Sequence, residues 1–298
     1  MDLKHAGYTP AAMTGIFGFD IKYSLSPRLH NTMSKIAGAG LCYGIFDVPP
    51  EKFSAAFNGF KAMGIKGANI TRPYKTEALK YIDSISEEAE IAGAVNTVNL
   101  EDGGVYKGYN TDITGFIRAV NYEFNKDLNG GRVLLLGAGG AARAILYALV
   151  KKKAADILIV NRGISKAKFL KEESDSWKIA LKSDSNVSYS DYNLTGISSD
   201  YFFGEWDFIL NTATPSDDTR ESIKNLVSGL KNLSDKTFLL DISYSEKLQD
   251  LLTIFKSKPL KSANGLSMLF FQAIESFYIW TGKRVDFNIL KESLKDIF

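Results

Sequence analysis

An α/β fold of two domains is predicted for this 298-residue chain: a mixed N-terminal domain and a doubly wound parallel domain. Three observations carry the prediction. The length suits two domains. Residues 132–241 alternate short apolar runs with helical patterns, as parallel strands joined by right-handed crossovers do. One of those runs ends in Gly137-Ala-Gly139-Gly140-Ala-Ala-Arg143, a glycine-rich turn that opens a helix.

In the middle of the chain, Arg132-Val-Leu-Leu-Leu136 reads as a buried strand and residues 141–150 as an apolar helix. Asp156-Ile-Leu-Ile-Val160 is the next buried strand, followed by a helix over 165–173. Two more strands are predicted at 207–210 and 237–241, with a helix over 221–231 between them. Residues 174–204 are rich in Ser and Asp and read as a surface segment with one short strand near 187–189.

The N-terminal part is mixed as well. Strands are predicted at 15–18, 43–48 and 67–71, and a helix at 30–37. Residues 95–100 and 105–109 suit a hairpin closed across Glu101-Asp-Gly-Gly104. A helix from Asp112 to about Phe124 follows, then a turn at Asp127-Leu-Asn-Gly-Gly131. A last apolar helix starts at Leu266 and stops at Gly282. The predicted division is residues 1–112, completed by 265–298, and residues 113–264.

Composition narrows the function. The 36 basic and 34 acidic residues leave a net charge of +2, which gives no reason to expect nucleic acid or an acidic membrane as partner. The single cysteine, Cys42, and the two histidines supply neither an internal disulfide nor a metal cluster. No signal-peptide pattern opens the chain and no apolar run suits a bilayer, so a cytoplasmic location is expected.

The pattern Gly137-x-Gly139-x-x-Ala142 lies between a strand and a helix, the setting in which it carries meaning. Such glycines permit a tight turn and close approach of a pyrophosphate, and the helix N-terminus offers N–H donors. The next strand ends in Asn161-Arg162, with Lys166 beyond, where an NAD site usually carries an acid. An arginine there pairs with a 2′-phosphate. NADP is therefore the expected dinucleotide.

A second set of polar residues precedes that domain. Ser24 and Ser26 are two apart and share a face if extended. Asn69 and Thr71 do the same on a predicted strand, and Lys75 is expected to start a helix after Pro73. Asn96 sits between apolar Val95 and Val98; a buried Asn needs partners, structural or ligand. Thr111 and Asp112 precede a helix, where an N-cap is the plain alternative. Hydroxyls, amides, one lysine and one carboxylate, with no metal set, suit a neutral ring bearing several hydroxyls.

These residues resemble the shikimate dehydrogenase family. The motifs are Tyr23-Ser-Leu-Ser-Pro27, Lys66-Gly-Ala-Asn-Ile-Thr-Arg-Pro-Tyr-Lys75, Ala92-Gly-Ala-Val-Asn-Thr97, Asn110-Thr-Asp112, Gly137-Ala-Gly-Gly-Ala141, Asn161-Arg162 and Asn264-Gly-Leu-Ser-Met268 with Gln272. The resemblance implies an N-terminal α/β substrate domain, a Rossmann-type NADP-binding domain, and NADPH-dependent reduction of 3-dehydroshikimate to shikimate in aromatic amino acid biosynthesis. It implies that Lys75 and Asp112 are the catalytic pair, that Ser24 and Ser26 bind the substrate carboxylate with Tyr244 lining that side, and that Asn69, Thr71, Asn96, Asp112 and Gln272 bind ring hydroxyls. It implies cofactor contacts at Gly137, Ala138, Gly139, Gly140, Ala141, Asn161, Arg162, Lys166, Ile242 and Gly265, no metal, and a monomer or homodimer.

The chain departs from the family pattern at Gly163, where Thr is common, and at Lys166, where Arg is frequent. It also departs in the stretches after Pro215 and Tyr244. A quinate or aminoshikimate dehydrogenase and a non-catalytic NADP-binding sensor are the alternatives.

Overall fold

The computed structural model describes residues 12–213, 217–230, 232–243, 252–253 and 258–297. The chain forms two compact units, residues 1–111 with 270–298 and residues 112–269. The predicted divisions after residues 112 and 264 fall one and five residues away from these.

The first unit contains β1 (Ala12–Gly18), α1 (Ser26–Ala37), β2 (Leu41–Asp47), α2 (Phe53–Ala62), β3 (Gly67–Ile70), β4 (Ser84–Ile85), α3 (Glu87–Ala92), β5 (Thr97–Leu100) and β6 (Tyr106–Tyr109). Its sheet runs β2-β1-β3-β5-β6-β4. Parallel pairing holds β2, β1 and β3 together, and antiparallel pairing joins β3 to β5 and β5 to β6. The β5–β6 hairpin forms as its turn sequence predicts, with the Glu101 N–H donating to the Val105 carbonyl at 2.8 Å. Under one face lies an aromatic core of Phe17, Phe53, Phe57, Phe60 and Tyr74, with Tyr74 stacked on Phe53 at 4.1 Å.

Helix α1 starts at Ser26, four residues before the predicted start, because Pro27 suits a first helical turn. Lys75 does not start an α-helix. Residues 72–76 form turns and a 3₁₀ helix follows at Glu77–Tyr81. The Lys75 carbonyl accepts the Val95 N–H at 2.8 Å, while the Leu79 N–H turns to Thr76 at 3.3 Å. The bond an α-helix would need between residues 75 and 79 is thereby replaced by a tie to residue 95.

The second unit contains α4 (Asp112–Phe124), β7 (Arg132–Leu136), α5 (Gly140–Lys151), β8 (Asp156–Val160), α6 (Ile164–Leu181), β9 (Asn186–Ser190), α7 (Ser199–Phe202), β10 (Phe208–Asn211), α8 (Asp217–Ser228), β11 (Phe238–Asp241) and β12 (Lys261–Asn264). Two further helices follow, α9 (Leu266–Thr281) and α10 (Phe287–Ser293). The sheet is parallel throughout, in the order β12-β11-β10-β7-β8-β9. This is the doubly wound Rossmann order, which reverses between its first and fourth strands, here β7 and β10. Residues 133–136 and 157–160 are wholly buried, as strands covered on both faces must be.

Helix α6 runs eight residues past its predicted end. Its polar sequence reads as surface, yet Ser174 bonds the Lys171 carbonyl at 2.6 Å and Trp177 packs edge-on against Tyr147 at 5.7 Å. Tertiary packing overrides the local signal here. Strand β12, Lys-Ser-Ala-Asn, is a polar edge strand with no apolar run to announce it.

Candidate active site

In the first unit, Ser24 and Ser26 lie where β1 gives way to α1. The Ser24 N–H donates to the Ile21 carbonyl at 3.0 Å, and the Ser26 N–H donates to Ser24 Oγ at 3.2 Å. This closed turn sets the Ser24 hydroxyl against the Ser26 backbone. Ser26 is buried, and its hydroxyl lies beside the Tyr43 phenol, whose pKa burial pushes well up while Ser26 partly offsets the rise.

Tyr43 donates to Asn69 Oδ1 at 2.7 Å. Asn69 Nδ2 in turn reaches the Asn96 carbonyl, Thr97 Oγ1 and Ser276 Oγ, each at 3.1 Å. Asn69 is buried with its amide engaged by protein groups, because β3 and β5 pair Asn69 directly opposite Thr97. Thr71 lies just past the end of β3 and is half-buried.

Asn96 is the junction. Its Oδ1 accepts the Thr111 N–H at 2.9 Å and its Nδ2 donates to Thr111 Oγ1 at 3.0 Å. Thr111 immediately precedes Asp112, the first residue of α4. Thr111 Oγ1 also lies 3.4 Å from Gln272 Oε1. Residues 95 and 96 therefore hold the backbone of Lys75 on one side and the residue before Asp112 on the other. Lys75 and Asp112 are themselves half-buried.

His30 lies behind this network. It is wholly buried, stacked on Tyr43 at 4.3 Å and 9° and set 5.0 Å from Trp280. Its ring nitrogens have no hydrogen-bond partner among the described residues. Burial lowers its pKa to about 3, outweighing a weak upward pull from the Asn69 side chain. Tyr43, Thr97 and Ser276 carry much of this network. The one sequence signal for Ser276 is its place a helical turn after Gln272 in an otherwise apolar helix.

In the second unit, the glycine-rich turn follows β7 at the point where the strand order reverses. Gly137 has φ +107°, and a Cβ there would lie 2.5 Å from Thr212 Oγ1 and 2.9 Å from the Ala213 N. Only glycine fits between this turn and the end of β10. Gly139 and Gly140 face open space, and no side chain caps the start of α5. Its first N–H groups are therefore available to an anion. Ala142 is wholly buried, which lets α5 pack closely on the sheet.

Past the end of β8, Asn161 donates to the Gly163 carbonyl at 2.9 Å and so shapes the turn into α6. Arg162 on that turn and Lys166 in the first turn of α6 are exposed, open to a phosphate. At the far side of the sheet, a Cβ on Gly265 would overlap the Ile242 carbonyl, and the Gly265 N–H donates to the Ser243 carbonyl at 3.2 Å. Ile242 and Gly265 are thus close neighbours beyond the ends of β11 and β12. Tyr244 and residues 214–216 lie outside the described residues. The uncapped helix start, the glycine cradle and the exposed cations suit a phosphorylated dinucleotide.

The chain matches three family models in order: the shikimate dehydrogenase substrate binding domain over residues 16–98, shikimate / quinate 5-dehydrogenase over 119–249, and the shikimate 5′-dehydrogenase C-terminal domain over 265–295. It is 37% identical over 281 residues to a shikimate dehydrogenase (NADP(+)) of Caldanaerobacter subterraneus subsp. tengcongensis, covering 94% of this chain and 95% of that one. The crystal structure of shikimate dehydrogenase from Aquifex aeolicus superposes with a TM-score of 0.81 at 32% identity, covering 97% of this chain and 99% of the other. The shikimate 5-dehydrogenase of Listeria monocytogenes, solved with shikimate and NAD, gives a TM-score of 0.82 at 30% identity, covering 95% and 96%. Matched across both units and nearly end to end, the chain belongs to the shikimate dehydrogenase family.

Proposed function

We propose that this protein catalyses the reversible, NADP(H)-dependent interconversion of 3-dehydroshikimate and shikimate, the step that supplies shikimate to aromatic amino acid biosynthesis. One observation carries the reading. The consecutive residues Val95 and Asn96 tie down the backbones of Lys75 and of Thr111, the residue before Asp112; Lys75 and Asp112 are the lysine and the aspartate of the family motifs. The Ser24–Ser26 turn offers two hydroxyls to the substrate carboxylate, and Tyr244 is proposed as a further contact to that carboxylate. Thr71, Asn96 and Gln272 are proposed to meet the ring hydroxyls, and Asn69 to support them from its buried position.

Residues 137–141, 161–162, 166, 242 and 265 would hold NADPH, which would supply a hydride for the carbonyl carbon. As that carbon is reduced, negative charge grows on its oxygen. The Lys75 ammonium stabilises the charge and gives up its proton, leaving a hydroxyl. Asp112 holds Lys75 in position. In the oxidative direction Lys75 accepts the hydroxyl proton, and because a proton is released overall, oxidation gains from higher pH. Arg162 and Lys166 favour the 2′-phosphate of NADP over the bare ribose of NAD.

The test is turnover of shikimate and of quinate by the purified protein with NADP⁺ and with NAD⁺, followed by absorbance of the reduced cofactor. Activity with shikimate and NADP⁺ is expected to exceed the other combinations, and no turnover with any pair would end the proposal. Lys75→Ala is expected to lower kcat by a factor on the order of 10²–10⁴, the usual contribution of a positioned acid–base group.

A further inference from the structure

We infer that Ser276 is a positioning residue for the substrate half of the candidate site. Its buried hydroxyl holds Asn69, Thr97, Thr111 and the helical turn carrying Gln272 in one arrangement. The inference rests on the shikimate reading above. Ser276 is wholly buried in α9, so it acts through its neighbours. Its Oγ lies 2.7 Å from Thr97 Oγ1 and 3.3 Å from Thr111 Oγ1, accepts from Asn69 Nδ2 at 3.1 Å, and donates to the Gln272 carbonyl at 3.0 Å.

The shared partners make the cluster act as a unit. Asn69 Nδ2 has hydrogens only to give. The hydroxyls of Thr97 and Thr111 also lie within hydrogen-bond reach of Asn96 Oδ1, at 3.0 and 3.2 Å. Each of them meets Ser276 Oγ as well, and either oxygen of each pair can donate. Ser276 is therefore where β3, β5, the residue before Asp112 and α9 meet in one hydrogen-bonded cluster. A serine that only bonds its own helix, to the carbonyl four residues back, is common and does nothing more. Here three side chains from outside the helix converge on the same oxygen.

None of these bonds involves the glycine-rich turn or Arg162. Loss of the hydroxyl should therefore weaken substrate binding and leave cofactor binding alone. The experiment compares steady-state kinetics of the full chain, Ser276→Ala and Thr97→Val, varying shikimate and NADP⁺ separately. Each variant is expected to raise the KM for shikimate about five- to tenfold, the order expected when one buried hydrogen bond is lost. The KM for NADP⁺ should stay within about twofold. The double variant should cost less than the two single effects multiplied together, because the singles share the Ser276–Thr97 contact.

Unchanged constants in Ser276→Ala, or equal rises in both KM values, would overturn the inference. If Ser276→Ala does not fold, judged by its melting curve, Ser276→Cys, which fills the same place with a much weaker hydrogen-bonding group, decides in its stead. A parent protein that turns over no shikimate with either dinucleotide sinks the functional reading itself, whereas an active parent with an indifferent Ser276→Ala sinks only the role of Ser276.

Discussion

Replacing His30 should remove a defined part of this protein's sensitivity to acid. The ring is wholly buried against Tyr43 and Trp280, with no hydrogen-bond partner for either nitrogen among the described residues. Its pKa falls from 6.5 to about 3 because burial penalises the charged form. In the unfolded chain the ring takes up a proton below about pH 6.5. Between those values the unfolded state binds more protons, so stability falls as pH drops through the window, by about 1.4 kcal/mol per pH unit once well below 6.5. From pH 7 to pH 5 the loss from this residue alone integrates to about 2 kcal/mol. Urea unfolding of the parent and of His30→Leu at both pH values measures it. Carboxylates titrate in both proteins, so the difference between the two pH dependences isolates His30. The chain has only two histidines, so the imidazole NMR signals provide a second reading: one ring should remain neutral at pH 5. A variant that loses as much stability as the parent between pH 7 and pH 5, or a His30 signal titrating near pH 6.5, would refute the argument.

Other outcomes follow from the same geometry. Gly137→Ala places a methyl 2.5 Å from Thr212 Oγ1 at φ +107°; calorimetry should show the Kd for NADP⁺ raised more than about tenfold, the scale of 1–3 kcal/mol of backbone strain. Arg162→Ala should weaken NADP⁺ by roughly tenfold or more and leave NAD⁺ nearly unchanged, since a charge-assisted hydrogen bond is worth about 1.5–3 kcal/mol. Arg132 pairs with Asp156 at 3.1 Å, bonds the carbonyls of Glu205 and Tyr201, and stacks 4.2 Å from the Trp206 ring. Arg132→Ala should cost about 2–4 kcal/mol in urea unfolding, because several partners lose their contact together.

The parallel domain was legible because its strands are covered on both faces. Residues 132–136 and 156–160 read as continuous apolar runs, and the glycine spacing after the first of them follows from what a tight turn beside a helix start requires. The hairpin at 97–109 was legible from its Gly-Gly turn, and the end of α9 from Gly282, which has φ +65°. The far half of α6 and the strand at 261–264 were not, since their sequences are polar and their structure comes from neighbours: Tyr147 for the helix, the adjacent strand β11 for the edge.

The candidate site divides in the same way. The joint character of Ser24, Asn69, Lys75, Asn96 and Asp112, with hydroxyls, amides, one amine and one carboxylate, suited one kind of ligand, and the family resemblance gave each its expected role. Tertiary structure alone decided how the inner residues are used. Asn69 turned out to be bonded to Tyr43, Thr97 and Ser276, residues 26, 28 and 207 positions away in the chain. A hydrogen bond joins atoms about 3 Å apart whatever their separation in sequence, so no local pattern carries it. The types of residue available to the site were written in the sequence, and the partner each one meets was set by strand register and helix packing.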